Sequence, residues 1–529
     1  MNKLYLDAFI CVVPIAALIY LMTKKAGMPA CKALPLAAVM MYAVKLIYFR
    51  ADPNSVNAML LDGMLTAWTP ILIIFSAVFL FKMMELSGRM DVVRNLLNHI
   101  SPNKTAQLMV IGWAFAFLIE GASGFGTPAA LAAPLLVGLG FNPVKAAIVC
   151  LIMNSVPVSF GAVGTPTWFG LGTLGLTQME MCQVAWKTAL IHTAASLVIP
   201  VIALTFAVSW REIKANIVFI YISILSCVLP YLLISFFSYE FPTIAGGAIG
   251  LVVSIMAARA GIGLEKTESS GAIPVGWKTA AAAMFPIWGS ILFLALTRIK
   301  ELGIKGLLND LSPCWQVQLG SLGTFSVSRS LAVSLENIFV TASSWTIKLL
   351  YIPAFIPFFA LSALSIIIFK LDCKTVLRIW NSSYERMLYP AVALMGALAM
   401  VELLMGGGEH SSSVIIGKAL SSLVGEKWVF FSSYLGALGA FFAGSNTVSN
   451  LTFGPIQYSI AQELRLDVST ILALQSAGGA MGNMVCVNNI VAVCSILGIT
   501  AKEGFMMKRT FIPMFIYGLI AAAVGYFLL

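Results

Sequence analysis

Apolar residues fall along this chain in long runs separated by short polar punctuation. Twelve runs are long enough to cross a bilayer: 4–22, 29–49, 64–84, 144–165, 186–208, 215–236, 241–258, 277–297, 351–369, 387–405, 469–497 and 510–528. About 20 apolar residues span the hydrocarbon core, so each run predicts a membrane helix. Two further segments, near 107–140 and 430–463, are apolar but interrupted. In the first, the sequence EGASGFGTP at 120–128 separates runs 108–119 and 129–139, each too short to cross comfortably. Half-length helices meeting at a Gly/Pro break leave backbone amides unpaired at membrane depth, which is tolerated where protein or a water-filled cavity satisfies them. The longest stretch without a span, 298–350, reads as an external loop with short helices or a further pair of surface helices.

The two interrupted segments resemble each other. Ser123 to Asn154 and Ser445 to Ser476 are each 31 positions apart; Ser123 to Gly161 and Ser445 to Asn483 are each 38. In both halves a polar, Gly-rich break precedes a short helix and then a full helix interrupted by Gly and amide residues. Positive residues set the sides. Lys24, Lys25, Lys82, Arg89, Arg94, Lys104, Arg211, Lys214, Arg259, Lys266, Lys370, Lys374, Arg378, Arg386, Lys502, Lys508 and Arg509 share one side, the cytoplasmic one by the positive-inside rule. Lys300, Lys305, Arg329 and Lys348 fall opposite. Both termini then face out, and the two interrupted segments enter from opposite sides, as inverted repeats do. Chance likeness between two apolar, Gly-rich tracts is the alternative. The expected fold is an all-α polytopic membrane protein of about 12 transmembrane helices plus two re-entrant helical hairpins. Its parts are an N-terminal repeat over 1–236 (hairpin near 107–140, broken span 144–166), connecting spans and the external loop over 237–380, and a C-terminal repeat core over 381–529 (hairpin near 430–463, broken span 469–497).

Composition narrows the function. Of 529 residues 60% are hydrophobic and 10% charged, which excludes an ordinary soluble protein. The net charge of +10 lies in short clusters between apolar runs, so nucleic-acid binding is not expected. The nine cysteines form no CxxC pair, and Cys11, Cys150 and Cys227 read as packing thiols. The first apolar run lacks a small-residue cleavage site and reads as a retained helix. No phosphate loop, HExxH or GxSxG appears, leaving ATP-driven pumping and membrane hydrolysis unsupported. The chain is not expected to be an enzyme or to need a cofactor.

Candidate chemistry gathers at the breaks. Ser123 and Thr127 offer hydroxyls, and Gly124, Phe125 and Gly126 offer amides, beside a half-helix whose N-terminus favours a carboxylate. Glycine used for tight helix packing is the alternative. Glu120 is the candidate for proton exchange, since a carboxyl group shielded from water carries its charge at high cost; a structural pair or amide cap is its other reading. The broken span adds Asn154, Ser155 and Ser159; the second half adds Ser445, Asn446, Thr447, Asn450, Ser476, Asn483 and Asn488. Their oxygens also suit a sodium ion near Asn446, or serve as polar glue between helices. His192 reads first as hydrogen-bonded to a neighbouring helix and second as a proton relay. Glu402, Lys145, His99 and His410 read as interfacial or solvated.

At EGASGFGTP, LVGLGFNPVKAA, NSVPVSFGAVGTP and GSNTVSN followed by GG-x-x-G, the chain resembles the L-lactate permease family of bacterial and archaeal monocarboxylate transporters. The resemblance runs from about 60 to 205 and from 385 to 510. It implies uptake of lactate, and commonly glycolate, with protons across the inner membrane. The family pattern has Asp at the position of Asn446 and Lys at that of Asn483, so a charge pair is replaced here by two amides. Ser445-Asn446-Thr447 is similar to the sodium-site tripeptide of dicarboxylate carriers. The expected function is therefore proton-coupled import of a short monocarboxylate, with Ser123–Thr127, Asn154 and Ser445–Thr447 forming the pocket. Sodium coupling on the same architecture, or a non-transporting component of a membrane complex, are the alternatives.

Overall fold

A computed structural model describes residues 2–23, 28–98, 100–124, 127–265, 282–298, 308, 310–352, 355–499 and 502–529. Lys24, Lys25, His99, Phe125, Gly126, Lys266, Lys300 and Lys305 lie outside the described residues. The protein is a polytopic α-helical membrane protein. Among the described residues nine helices are long and apolar enough to cross a bilayer, and ten if the bent pair Pro143–Met153 and Pro157–Leu174 is one span. The apolar runs at 277–297 and 351–369 contribute helices of 14 residues each, Phe285–Arg298 and Phe355–Ile368. The chain divides into two units, Met1–Met90 with Ala281–Leu420, and Asp91–Ala280 with Ser421–Leu529. This division runs along a different line from the three-part order expected above.

The first unit holds the helices Asn2–Thr23, Ala30–Ala43, Pro53–Thr66, Trp68–Leu86, Phe355–Ile368 and the 33-residue Cys373–Met405. Asp52 starts Pro53–Thr66 by accepting from the Ser55 amide (2.9 Å), with Pro53 in the first turn where no amide donor is needed. Phe75, Phe79, Phe359 and Trp380 interlock edge-on and stacked between three of these helices.

The stretch 298–350 corrects the expectation of a helical loop. It carries a four-stranded antiparallel meander, β1 (Pro313–Gln318), β2 (Thr324–Ser328), β3 (Ala332–Glu336) and β4 (Trp345–Lys348), in sequence order. Phe325 pairs with Leu335, and Val333 with Ile347. The cause is a two-residue alternation in Phe-Ser-Val, Val-Ser-Leu and Trp-Thr-Ile, which puts apolar side chains on one face of a strand. Leu335 and Ile338 pack with Ala58 of Pro53–Thr66.

The second unit contains both interrupted segments. The first runs as Lys104–Gln107, a π-helical stretch Leu108–Phe115 and Ala116–Ser123, then breaks and resumes as Thr127–Gly138. Asn103 accepts from the Thr105 and Ala106 amides and so starts the helix earlier than the apolar run suggests. Lys104–Ser123 reaches 20 residues, enough to cross, although the apolar run alone looked too short. The broken span follows as Pro143–Met153, the 3-10 turn Pro157–Phe160, and Gly161–Trp168, bent by 61°. In the chain's second half the order repeats: Val429–Ala443, a break, Asn446–Glu463, then Val468–Gly482, the 3-10 turn Asn483–Val485 and Val487–Leu497. Gln178–Ser196 and the C-terminal helix Glu503–Leu528 complete the surroundings of the site.

Candidate functional site

All the described candidate residues discussed here belong to the second unit. At the first break, Gly124 takes φ 60° and ψ −157°, a conformation that L side chains rarely adopt. Thr127 opens the following helix. The Ser123 hydroxyl turns back to donate to the Ile119 carbonyl (2.9 Å) in its own helix. Glu120 is 3% exposed. Its Oε2 accepts from Asn154 Nδ2 at 3.1 Å, while Asn154 Oδ1 is buried with no protein partner. On the other side, a Cβ built on Gly161 would lie 2.4 Å from Glu120 Oε1, so only the absence of a side chain lets the carboxyl sit there. A carboxyl group, one amide and a bare glycine therefore meet where the two helical breaks face each other.

Between these breaks the chain is wound in an unusual way. Ala162 (φ 44°, ψ 54°), Val163 (φ 57°, ψ 46°) and Gly164 (φ 72°, ψ 9°) form a left-handed turn. Local bonds hold it: Thr165 Oγ1 donates to the Ala162 carbonyl (2.5 Å) and Trp168 Nε1 to the Val163 carbonyl (3.0 Å). Asn450 Nδ2 reaches in from the second hairpin to the Pro166 carbonyl at 2.8 Å.

A second cluster centres on Ser159, in the 3-10 turn. Its Oγ lies 2.8 Å from His192 Nε2, 3.0 Å from Ser476 Oγ, 3.1 Å from the Ser476 carbonyl and 3.3 Å from Asn446 Nδ2. His192 is wholly buried, and its Nδ1 bonds Tyr517 of the C-terminal helix. Asn446 Nδ2 also donates to the Ser476 carbonyl (3.1 Å). Asn446 Oδ1 lies over Gly479, where a Cβ would come within 1.8 Å of it, and neither Asn446 Oδ1 nor Thr447 Oγ1 has a protein partner. Ser445 caps Asn446–Glu463 by accepting from the Val448 amide (3.4 Å).

The family model described as L-lactate permease matches residues 7–529. The chain belongs to this family. The "Putative L-lactate permease" of Haemophilus influenzae is 50% identical over 526 residues, covering 99% of this chain and 98% of its own. The L-lactate permease of Escherichia coli K12 is 27% identical over 512 residues (92% and 90%), and the glycolate permease GlcA of the same strain 25% over 470 (84% and 81%). Among solved structures, the Alcanivorax borkumensis YdaH transporter aligns over 100% of this chain and 98% of its own at 14% identity, with a TM-score of 0.43.

In this member of the L-lactate permease family, the broken span stands between the two groups of candidate residues. Asn154 and Gly161 face Glu120, whereas Ser159 faces Asn446, Ser476 and His192. Ser155 donates to the Ile152 carbonyl (2.7 Å), and Asn483 Oδ1 accepts from Asn489 Nδ2 (3.0 Å). Asn488 is exposed. Sequence reading missed Tyr517 and a buried amide chain behind the second hairpin. There Trp428 Nε1 donates to Gln457 Oε1 (2.7 Å), Gln457 Nε2 to Gln475 Oε1 (3.1 Å) and Gln475 Nε2 to Ser449 Oγ (3.1 Å). The signal was present: Gln457 and Gln475 each interrupt an apolar run within 15 residues of a break.

Proposed function

We propose that this chain imports lactate, glycolate or a related short 2-hydroxy monocarboxylate by proton symport through the cytoplasmic membrane of a prokaryote. The observation that carries this reading is the Glu120 carboxyl group, buried beside the first break with Asn154 as its hydrogen-bond partner. In its neutral form Glu120 adds no charge to repel an arriving carboxylate, so proton and substrate travel together as a neutral pair. The Gly124 region and the start of the Thr127 half-helix bind the substrate carboxylate, Asn154 orients Glu120, and the Ser445–Thr447 tip closes the pocket. The names of the relatives, lactate and glycolate permeases, support this substrate class. The two hairpins act as inverted counterparts entering from opposite sides.

Sodium coupling is the second reading, favoured by one observation: Asn446 Oδ1 and Thr447 Oγ1 are buried oxygens without protein partners, and oxygen donors suit a hard cation. Counterflow of labelled lactate in proteoliposomes, with proton and sodium gradients imposed separately, tests both. Glu120→Gln is expected to keep counterflow and lose accumulation driven by a pH gradient. Normal accumulation by that variant removes Glu120 from coupling, and accumulation driven by sodium alone selects the second reading.

A further inference from the structure

The Ser159 hydroxyl is oversubscribed. A hydroxyl has one proton to donate and two lone pairs with which to accept. Four polar atoms surround Ser159 Oγ: His192 Nε2, Ser476 Oγ, the Ser476 carbonyl and Asn446 Nδ2. The carbonyl can only accept. Asn446 Nδ2 can only donate, and its orientation is fixed because it also faces that carbonyl. Ser476 Oγ is placed as a donor. The imidazole of His192 therefore decides which bonds exist.

With the proton of neutral His192 on Nδ1, Nε2 is an acceptor. Ser159 then donates to it and accepts from both Ser476 Oγ and Asn446, and its own bonds are complete. The cost falls on Tyr517, whose oxygen receives the Nδ1 proton and whose own proton has no partner within the network. With the proton on Nε2, the needs reverse. Tyr517 donates to Nδ1, Ser159 receives the Nε2 proton and gives its own to the Ser476 carbonyl, and one lone pair remains for two donors. Asn446, at the longer distance, is the donor released. Each arrangement leaves one buried polar hydrogen unserved, a penalty of similar size at either end, so the two lie close in energy.

We propose that His192 is a positioning residue of the transport site, whose tautomer decides whether Ser159 holds the Asn446 amide or frees it. The freed amide, beside an Asn446 Oδ1 that already lacks a partner, is a group at the second tip able to donate to a substrate carboxylate. The network thus links the C-terminal helix, through Tyr517, to the start of the second tip helix. This inference rests on the transport reading above for its consequence, but not for its chemistry.

Two conservative variants push the tautomer in opposite directions. Tyr517→Phe removes what favours the Nε2 proton and raises the share of the Nδ1 form. Ser159→Ala removes what favours the Nδ1 proton and raises the Nε2 form. The chain has three histidines, so 15N-histidine labelling with solid-state NMR in lipid resolves them, and His192→Gln assigns the signal. The expected result is opposite shifts in the two variants. In lactate counterflow, Tyr517→Phe is expected to raise KM about 3–10-fold, the worth of one hydrogen bond, with maximal rate little changed. In a Ser159→Ala background the same change should leave KM unmoved. Identical tautomer populations in wild type and both variants overturn the proposal, as does an effect of Tyr517→Phe on KM that is the same with and without Ser159. Opposite NMR shifts in a wild type that shows no lactate counterflow uphold the network and end the transport reading instead.

Discussion

Gly161 leaves open the space that Glu120 occupies: a Cβ at position 161 would come within 2.4 Å of Glu120 Oε1. The backbone there, φ −63° and ψ 159°, suits any residue, so the demand for glycine is one of space alone.

Gly161→Ala therefore isolates the carboxyl's position from backbone strain. Overpacking of this kind costs about 1–3 kcal/mol. A melting temperature lowered by a few degrees, together with at least about a tenfold loss of pH-gradient-driven lactate uptake, is expected, because small displacements at a reacting group cost large factors. Uptake equal to wild type in proteoliposomes would show that the carboxyl can move without consequence.

Gly479→Ala makes the parallel test at the second tip. The new methyl would meet Asn446 Oδ1 at 1.8 Å and displace the amide from Ser159 and Ser476. The whole amide is pushed out of the place from which it can reach a substrate carboxylate. Lactate affinity is therefore expected to fall about tenfold, the worth of one hydrogen bond to the substrate, while the expected dependence of pH-driven accumulation on Glu120 is retained in what remains. Counterflow measured at a series of lactate concentrations reads both.

Asp467 gives a pH signature away from the membrane interior. It caps Val468–Gly482 through the Thr470 amide (2.7 Å) and pairs with Lys187 (2.5 Å). Burial pushes its carboxyl up, but the bonds from Lys187, Thr470 and Ser469 outweigh burial and hold it at about 2. In the unfolded chain it titrates near 3.9. The folded value is the lower one, so its stabilisation is complete above about pH 4 and is lost as pH falls towards 2. Wild type should melt higher than Asp467→Asn at pH 6, with the gap closing between pH 4 and 2 in detergent melts.

Gln457→Leu tests the amide chain behind the second hairpin. It strands the Trp428 indole N–H and Gln475 Oε1 as buried groups without partners. A loss of about 2–4 kcal/mol is expected, the cost of leaving two such groups unserved. Fluorescence-detected thermal melts measure it.

Much of this was written locally in the chain. The Gly/Pro break at 120–128 and the repeated order of break, short helix and broken span follow from rules that act within a few residues. Pairings between distant residues were not legible. Asn154 stood out as polar within an apolar run, but nothing in the sequence says that it donates to Glu120 34 positions earlier. Tyr517 lies 325 positions from His192 and sits in a run that reads only as a membrane helix. Gly161 looked like a break in the span, whereas its close approach to Glu120 requires knowing what faces it. The β-meander was missed because its alternations run over only four or five residues, at the lower limit of what a periodicity reading resolves.

The left-handed turn at Ala162–Val163–Gly164 bears on movement. Left-handed winding costs an L-residue about 1–2 kcal/mol, and here two of the three residues in it are not glycine. The turn lies directly between Gly161, which faces Glu120, and the helix whose Pro166 carbonyl is held by Asn450. It is a joint cocked against its own preference. The bonds from Thr165, Trp168 and Asn450 oppose that preference, so the strain at this joint is held in check from both of its ends.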